Sequence, residues 1–223
     1  FAIYLVLHRL VIQKNIGKLQ SLLYGFFALV MIFNMFITGG RAGQVGFFLM
    51  LGVLIFQYFS FNKIKAFFIT LFVIPAIFFS AYQISPFFSE RVDAGLSDVT
   101  NYSNNQWSSV GYRMTFAIYS WEIIKDNPLL GVGTGDFPQE YKKINMVKTP
   151  KMNNANNPHN MYILILVQLG LLGLISFFSI FYFQFKAAIN SKNILLKDAG
   201  FALPIMFLVI MFSDSYLLGH FTT

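Results

Sequence analysis

Charge is what this sequence has least of. Only 11% of its 223 residues are charged, against about a quarter in an ordinary soluble domain. So few ionised groups cannot cover the surface of a water-soluble domain of this length. A soluble globular enzyme, a disordered chain and a coiled coil are thereby excluded. Cysteine is absent altogether, so there is no disulfide framework and no thiolate metal site. No Asp-x-Asp pair and no His-Glu-x-x-His motif occurs; the usual carboxylate grip on a metal-bound nucleotide sugar is missing, as is the zinc-protease site. Period-2 alternation is also lacking, which argues against a membrane barrel. Phe1 opens in a hydrophobic run without the charged leader of a signal peptide, and the chain is expected to be a fragment of a larger membrane protein.

What the sequence has in abundance is apolar length. It is 56% hydrophobic and holds 28 Phe. Five stretches reach the roughly 20 residues needed to cross a bilayer: Leu19–Thr38, Gln44–Phe61, Ile64–Ile84, Met161–Phe185 and Ala199–Gly219. Phe1–Ile12 reads as the tail of a sixth. Each is apolar all round rather than striped, as suits a lipid-facing or buried helix. The expected architecture is an all-α polytopic membrane protein in three parts. Residues 1–84 form transmembrane helices, the first truncated; 85–160 form one large loop; 161–223 form two further transmembrane helices.

The connections alternate in charge. Lys14 and Lys18 follow the first run, Lys63 and Lys65 the third, and Lys186, Lys192 and Lys197 the fifth, while the 85–160 loop carries seven basic and seven acidic residues. Lysine-bearing short connections mark the cytoplasmic side. Arg41, the long loop and the segment from Asp214 to His220 are therefore expected together on the outer face of a multi-pass membrane protein. The net charge of +7 is read as membrane sidedness, with no nucleic acid as partner.

Within the long loop, Trp107, Val110, Met114, Ile118, Trp121 and Ile124 recur at helical spacing and Asn127-Pro128 ends the pattern. A surface helix over about 107–126 is expected, with Phe116 and Ile123 on its other face and Arg113 on the flank, aimed into a cavity beneath. The following PLLGVGTGDF lacks the strand context of a nucleotide-binding loop and reads as a tight turn needing positive φ. His159 then lies just before the Met161 span, with Asn157 or Asn160 available as cap. That helix terminus attracts anions.

The string GYRMTFAIYSWEIIKDNPLLGVGTGDF, followed after a variable stretch by NPHNMYILILVQLGLLGL, resembles the O-antigen ligase-like family of bacterial envelope glycosyltransferases. TGGRAGQVGFFLML resembles the short outer turn with Arg that precedes a span in that family. The resemblance covers roughly residues 30–185. The family includes O-antigen ligases, O-antigen polymerases and protein O-oligosaccharyltransferases. The resemblance implies a GT-C-like enzyme with a large periplasmic loop, moving a glycan from an undecaprenyl-pyrophosphate carrier to an acceptor hydroxyl. It also implies about twice this many spans, so an N-terminal half is expected to be missing. By position, the family's outer Arg matches Arg41, its loop Arg matches Arg113 and its loop His matches His159. Arg41 follows Gly40 where the family commonly has Ser.

The chemistry suits these residue types. A lipid-linked pyrophosphate carries about two negative charges, and arginine offers a permanent cation with a planar donor fork. Arg41 and Arg113 are the expected pyrophosphate ligands; Arg91 is a secondary candidate. His159 is the general-base candidate, since His8 falls near the cytoplasmic side and His220 at the chain end. Asp214, expected about a turn and a half inside the last span, is a further candidate for orienting an arginine, and Asn160 another. Two arginines can neutralise what a metal otherwise would, so transfer is expected to need neither metal nor cofactor. The favoured acceptor is lipid A–core; polymerase and protein-glycosylating reactions are the alternatives. A transporter of lipid-linked glycans would place ionisable groups at mid-span, where this sequence is almost purely apolar. The plainer roles remain an interfacial anchor for Arg41 and an ion-pair partner of Glu122 or Asp126 for Arg113.

Overall fold

The structure is a computed structural model describing residues 1–13, 16–38, 40–101 and 107–218. Lys14, Gly219 and His220 lie outside them. The described residues form nine α-helices and no strand: α1 Ala2–Ile12, α2 Lys18–Ile37, α3 Arg41–Tyr58, α4 Lys63–Ile84, α5 Pro86–Thr100, α6 Ser109–Asp126, α7 Phe137–Lys148, α8 Met161–Ile189 and α9 Ile194–Ile210. Four of these, α2, α3, α4 and α8, are long and apolar enough to cross a membrane. The chain is an all-α, multi-pass membrane protein. The first three expected spans match α2, α3 and α4 to within about a turn.

The surface of α2 and α4 shows the solvent they are built for. Only 6% of the apolar window of each is buried, and Leu19, Leu22, Phe33, Phe72 and Phe79 are exposed by more than 60%. Each such side chain left in water would forgo about 1.5–3 kcal/mol, so an apolar surrounding must cover them.

Three expectations need correction. The 85–160 stretch is no single loop with one helix but carries α5, α6 and α7. Ser85 starts α5, its hydroxyl accepting the Phe88 N–H. Phe137-Pro138 opens α7, where proline's missing N–H costs nothing. The expected Ala199–Gly219 span is displaced: α9 runs Ile194–Ile210, 17 residues. It begins early because Asn193 Oδ1 accepts from the N–H groups of Leu195 and Leu196. It ends early because tight turns follow, Phe212 N–H to Val209 and Ser213 N–H to Ile210. Asp214 therefore lies beyond the helix and not inside a span.

The chain folds as two compact units. The first comprises residues Phe1–Ala94 and Gln184–Phe207. Tyr4, Met50, Leu54 and Ala202 form its buried centre, and beside them runs a chain of polar contacts. Tyr4 OH donates to Gln57 Oε1 at 2.8 Å, Gln57 Nε2 donates to the Asp198 carbonyl at 3.0 Å, and His8 Nε2 meets Asp198 Oδ2 at 2.8 Å.

The second unit comprises Gly95–Phe183 and Leu208–Thr223. Its core joins Phe116, Tyr119 and Ile123 of α6 to Phe137 and Tyr141 of α7 and to Leu164 and Val167 of α8. This corrects most of the expected stripe. Phe116 and Ile123 point inward and Ile124 is buried beside them, whereas Ile118 and Trp121 on α6, and Trp107 just before it, are about half exposed. The helix itself is as expected, starting at Ser108, whose hydroxyl caps Gly111 N–H.

The expected single span at Met161 is interrupted. At Gly170 the backbone turns to φ 61°, ψ −161°, a conformation essentially reserved for glycine. A break in an apolar helix orphans two carbonyls and two N–H groups, and the 128–133 loop takes up all four. Val132 N–H donates to the Val167 carbonyl at 2.8 Å and Gly133 N–H to Gln168 at 3.0 Å. In return Leu171 N–H donates to Pro128 at 2.9 Å and Leu172 N–H to Leu129 at 3.3 Å. The loop's Gly131, Gly133 and Gly135 all have positive φ, as the tight-turn reading required. Here the backbones approach so closely that a Cβ on Gly131 would lie 2.5 Å from the Gln168 carbonyl carbon.

Candidate functional site

The segments on either side of the second unit's long excursion meet at its end. Asn160 caps α8, its Oδ1 accepting the Ile163 N–H at 3.1 Å, while its Nδ2 donates to the Phe212 carbonyl at 3.1 Å. Met161 N–H donates to the Met211 carbonyl at 3.0 Å, and Tyr162 OH donates to the Leu208 carbonyl. These bonds satisfy donors left open at the start of α8 and acceptors left open at the end of α9. They also bring residues 157–162 against residues 208–215.

His159 sits in that join with φ 50°, a positive value in a described residue other than glycine. Such a conformation costs about 1–3 kcal/mol and persists only where neighbours enforce it. Asn157 does so from one side: its Oδ1 accepts the His159 N–H at 2.9 Å and the Ser215 hydroxyl at 2.7 Å. Asp214 does so from the other, with Oδ1 at 3.1 Å from His159 Nδ1 and 2.7 Å from the Ser215 N–H. The imidazole lies nearly parallel to the Phe116 ring, at 5.9 Å between centroids and 23° between planes. One ring nitrogen is thus committed to a carboxylate, one face is covered, and the side chain is still 39% exposed. With Nδ1–H donated to Asp214, the Nε2 lone pair is left to take a proton.

Asp214 thus has a different partner from the one expected. It faces His159 and not an arginine, because the early end of α9 releases it into the turn. Arg113 is exposed on α6. The ion-pair role is not what the structure shows, since Glu122 pairs with Lys148. Arg113 belongs to none of the ion pairs among the described residues. It stands one helical turn before Phe116, the neighbour position on a helix surface, and so on the same stretch of α6 that covers His159.

Arg41 belongs to the first unit. It is the first residue of α3, not part of a preceding turn, and is partly buried, its Nε buried without a hydrogen-bond partner among the described residues. Arg91 is exposed on α5 with its guanidinium 5.2 Å from the Phe87 ring. Among the described residues no three His, Cys, Asp or Glu side chains gather closely enough to hold a metal ion. Sequence reasoning passed over Phe116 as a site residue and missed the bracing by Asn157 and Ser215. An Asn two residues before a His, on either side of a proline, is a signal for such a turn.

A family model described as O-antigen ligase matches residues 26–178, a stretch holding Arg41, Arg113 and His159. An uncharacterized protein of Haemophilus influenzae (strain ATCC 51907 / DSM 11121 / KW20 / Rd) is 30% identical over 158 residues, which is 67% of this chain and 38% of that protein. The chain is thus matched along well under half the length of that relative.

Proposed function

The chain belongs to the O-antigen ligase family, and from that premise we propose that it is part of a glycosyltransferase acting at the periplasmic face of a bacterial inner membrane. The donor is an undecaprenyl-pyrophosphate-linked glycan and the acceptor a hydroxyl of lipid A–core. The observation that carries this reading is the His159–Asp214 pair, held in a strained turn at the head of α8 with its outer nitrogen open. As the acceptor oxygen attacks C1 of the glycan, its proton passes to His159 Nε2. The bond from C1 to the pyrophosphate oxygen breaks, and undecaprenyl pyrophosphate leaves as the anion. Asp214 holds the ring in the right tautomer and stabilises the imidazolium that forms.

Arg113, exposed and outside every described ion pair, is assigned to the pyrophosphate, where a planar fork matches phosphate oxygens. Arg41 has the same role by family position. Charge neutralisation by arginine dispenses with a metal, so transfer proceeds in EDTA. The test is transfer by the purified full-length protein from undecaprenyl-pyrophosphate glycan to three acceptors: lipid A–core, a second lipid-linked repeat, and a Ser/Thr peptide. His159→Ala should lower kcat by about 10²–10⁴-fold without unfolding the protein. Wild-type turnover in that variant removes the base assignment; transfer to the second or third acceptor alone makes the enzyme a polymerase or a protein glycosyltransferase.

A further inference from the structure

The first unit contains a cavity of about 1090 Å³ between α1, α3, α4 and α9 that the transfer chemistry does not use. It is graded along its length. One end is bounded where helices stop or start: Ile12 closes α1, Tyr58 closes α3, Lys63 opens α4, and Lys197 lies in the first turn of α9. The other end is walled by Phe48, Ile74 and Ile205. Eleven residues of α4 separate Lys63 from Ile74, about 16 Å at the helical rise. That is half of a hydrocarbon core about 30 Å thick. The cavity therefore has the depth of one leaflet, with cations at headgroup level and apolar walls below.

Its charge is equally one-sided. Lys63 and Lys197 are both exposed. Lys63 Nζ gives one N–H to the Phe56 carbonyl, leaving two to offer. The acid of the lining, Asp198, is already bound through Oδ2 to the buried His8. Thr70 Oγ1, on the deeper wall, is buried without a hydrogen-bond partner among the described residues. Gly52 faces α4 across the cavity wall, where a Cβ would sit in ordinary contact with Ile74 at 3.5 Å and Thr70 at 3.7 Å, so a larger side chain there must extend into the space between the helices. We propose that this cavity is a binding site for an anionic phospholipid, with an acyl chain along α3 and α4 and the phosphate between Lys63 and Lys197. Basic pockets between spanning helices bind anionic headgroups in this way.

The experiment uses delipidated full-length protein in mixed micelles containing either dioleoylphosphatidylglycerol or dioleoylphosphatidylcholine. The anionic lipid should raise Tm at least about 3 °C more than the zwitterionic one. That excess should vanish in the Lys63→Gln/Lys197→Gln double variant and in Gly52→Leu, which fills the cavity. An equal response to the two lipids, or an excess retained in the double variant, overturns the proposal. A photoreactive leucine in place of Val53, which also lines the cavity, gives a separate readout. Lipid adducts support the site, whereas a crosslink to another peptide of the same protein means that chain fills the cavity and refutes it.

Discussion

Replacing Gly170 by alanine should spring apart the join between α8 and the 128–133 loop. The added Cβ would lie 2.3 Å from the carbonyl carbon and oxygen of Leu129 and 2.6 Å from the Leu130 nitrogen. All three are backbone atoms and cannot rotate away. The backbone at 170, φ 61° and ψ −161°, would add about 1–3 kcal/mol for any residue with a side chain. Straightening α8 relieves both strains and restores two helical bonds, from the N–H groups of Leu171 and Leu172. It forfeits the four bonds that cross between loop and helix. At about 1 kcal/mol for each of the two net bonds lost, the variant should be less stable by about 2 kcal/mol. That is a large share of a domain's total stability.

Reversible unfolding of the full-length protein in detergent measures this directly. Gly131→Ala attacks the joint from the loop side, where its Cβ would meet the Gln168 backbone. The double variant should therefore cost far less than the sum of the singles. Gly25→Ala is the control: it lies in α2 with nothing within 4 Å of a new Cβ and should gain up to about 1 kcal/mol. A Gly170→Ala protein within 1 kcal/mol of wild type would refute the interlocked geometry.

Two further outcomes are expected at the site. Asp214→Asn replaces an acceptor by an amide that can donate to Nδ1 and favour the tautomer with Nε2 protonated; kcat should drop about 10²–10⁴-fold with little change in Tm, and initial-rate kinetics that match wild type would remove Asp214 from the mechanism. Arg113→Lys keeps the charge but loses the fork, so KM for the lipid-linked donor should rise about tenfold while the fold is untouched, because Arg113 is exposed; an unchanged KM in Arg113→Ala would sink its assignment to pyrophosphate.

The spans were readable because lipid imposes a crude rule. Runs such as Lys18–Ile37 and Lys63–Ile84 are apolar on every face, and no tertiary detail alters that. The turn at Gly131, Gly133 and Gly135 was readable for a similar reason, since glycine's freedom is local. What failed depended on which surface a helix shows to the rest of the protein. On α6 both faces carry aromatic residues, so periodicity alone could not choose between Trp121 and Phe116; packing against Tyr141 and Val167 made the choice. The end of α9 failed for another reason. The polar Ser213-Asp214-Ser215 breaks the apolar run just past Met211, but it does not mark the stop at Ile210; there Met161, Tyr162 and Asn160 capture carbonyls from Leu208 to Phe212. That capture is a long-range event which no window of sequence contains.

The same physics links the broken helix to the imidazole. Below the break, Leu171–Ile189 supplies 19 residues, about 28 Å of helix, enough by length to cross a hydrocarbon core on its own. The upper piece, starting at Met161, is thereby freed from following the direction of the span. In an apolar medium a free break is not tolerated, because each orphaned backbone group would cost several kcal/mol. The 128–133 loop removes that cost, and it is also the direct continuation of α6, which carries Phe116 and Arg113. One set of hydrogen bonds thus satisfies the break and ties to the upper piece of α8 the helix that covers His159. The glycine lies eleven residues from the histidine and touches none of its partners, yet the ring's surroundings depend on it. A change at Gly170 should consequently depress turnover through the placement of Phe116 and Arg113 even where His159, Asp214 and Asn157 are all intact.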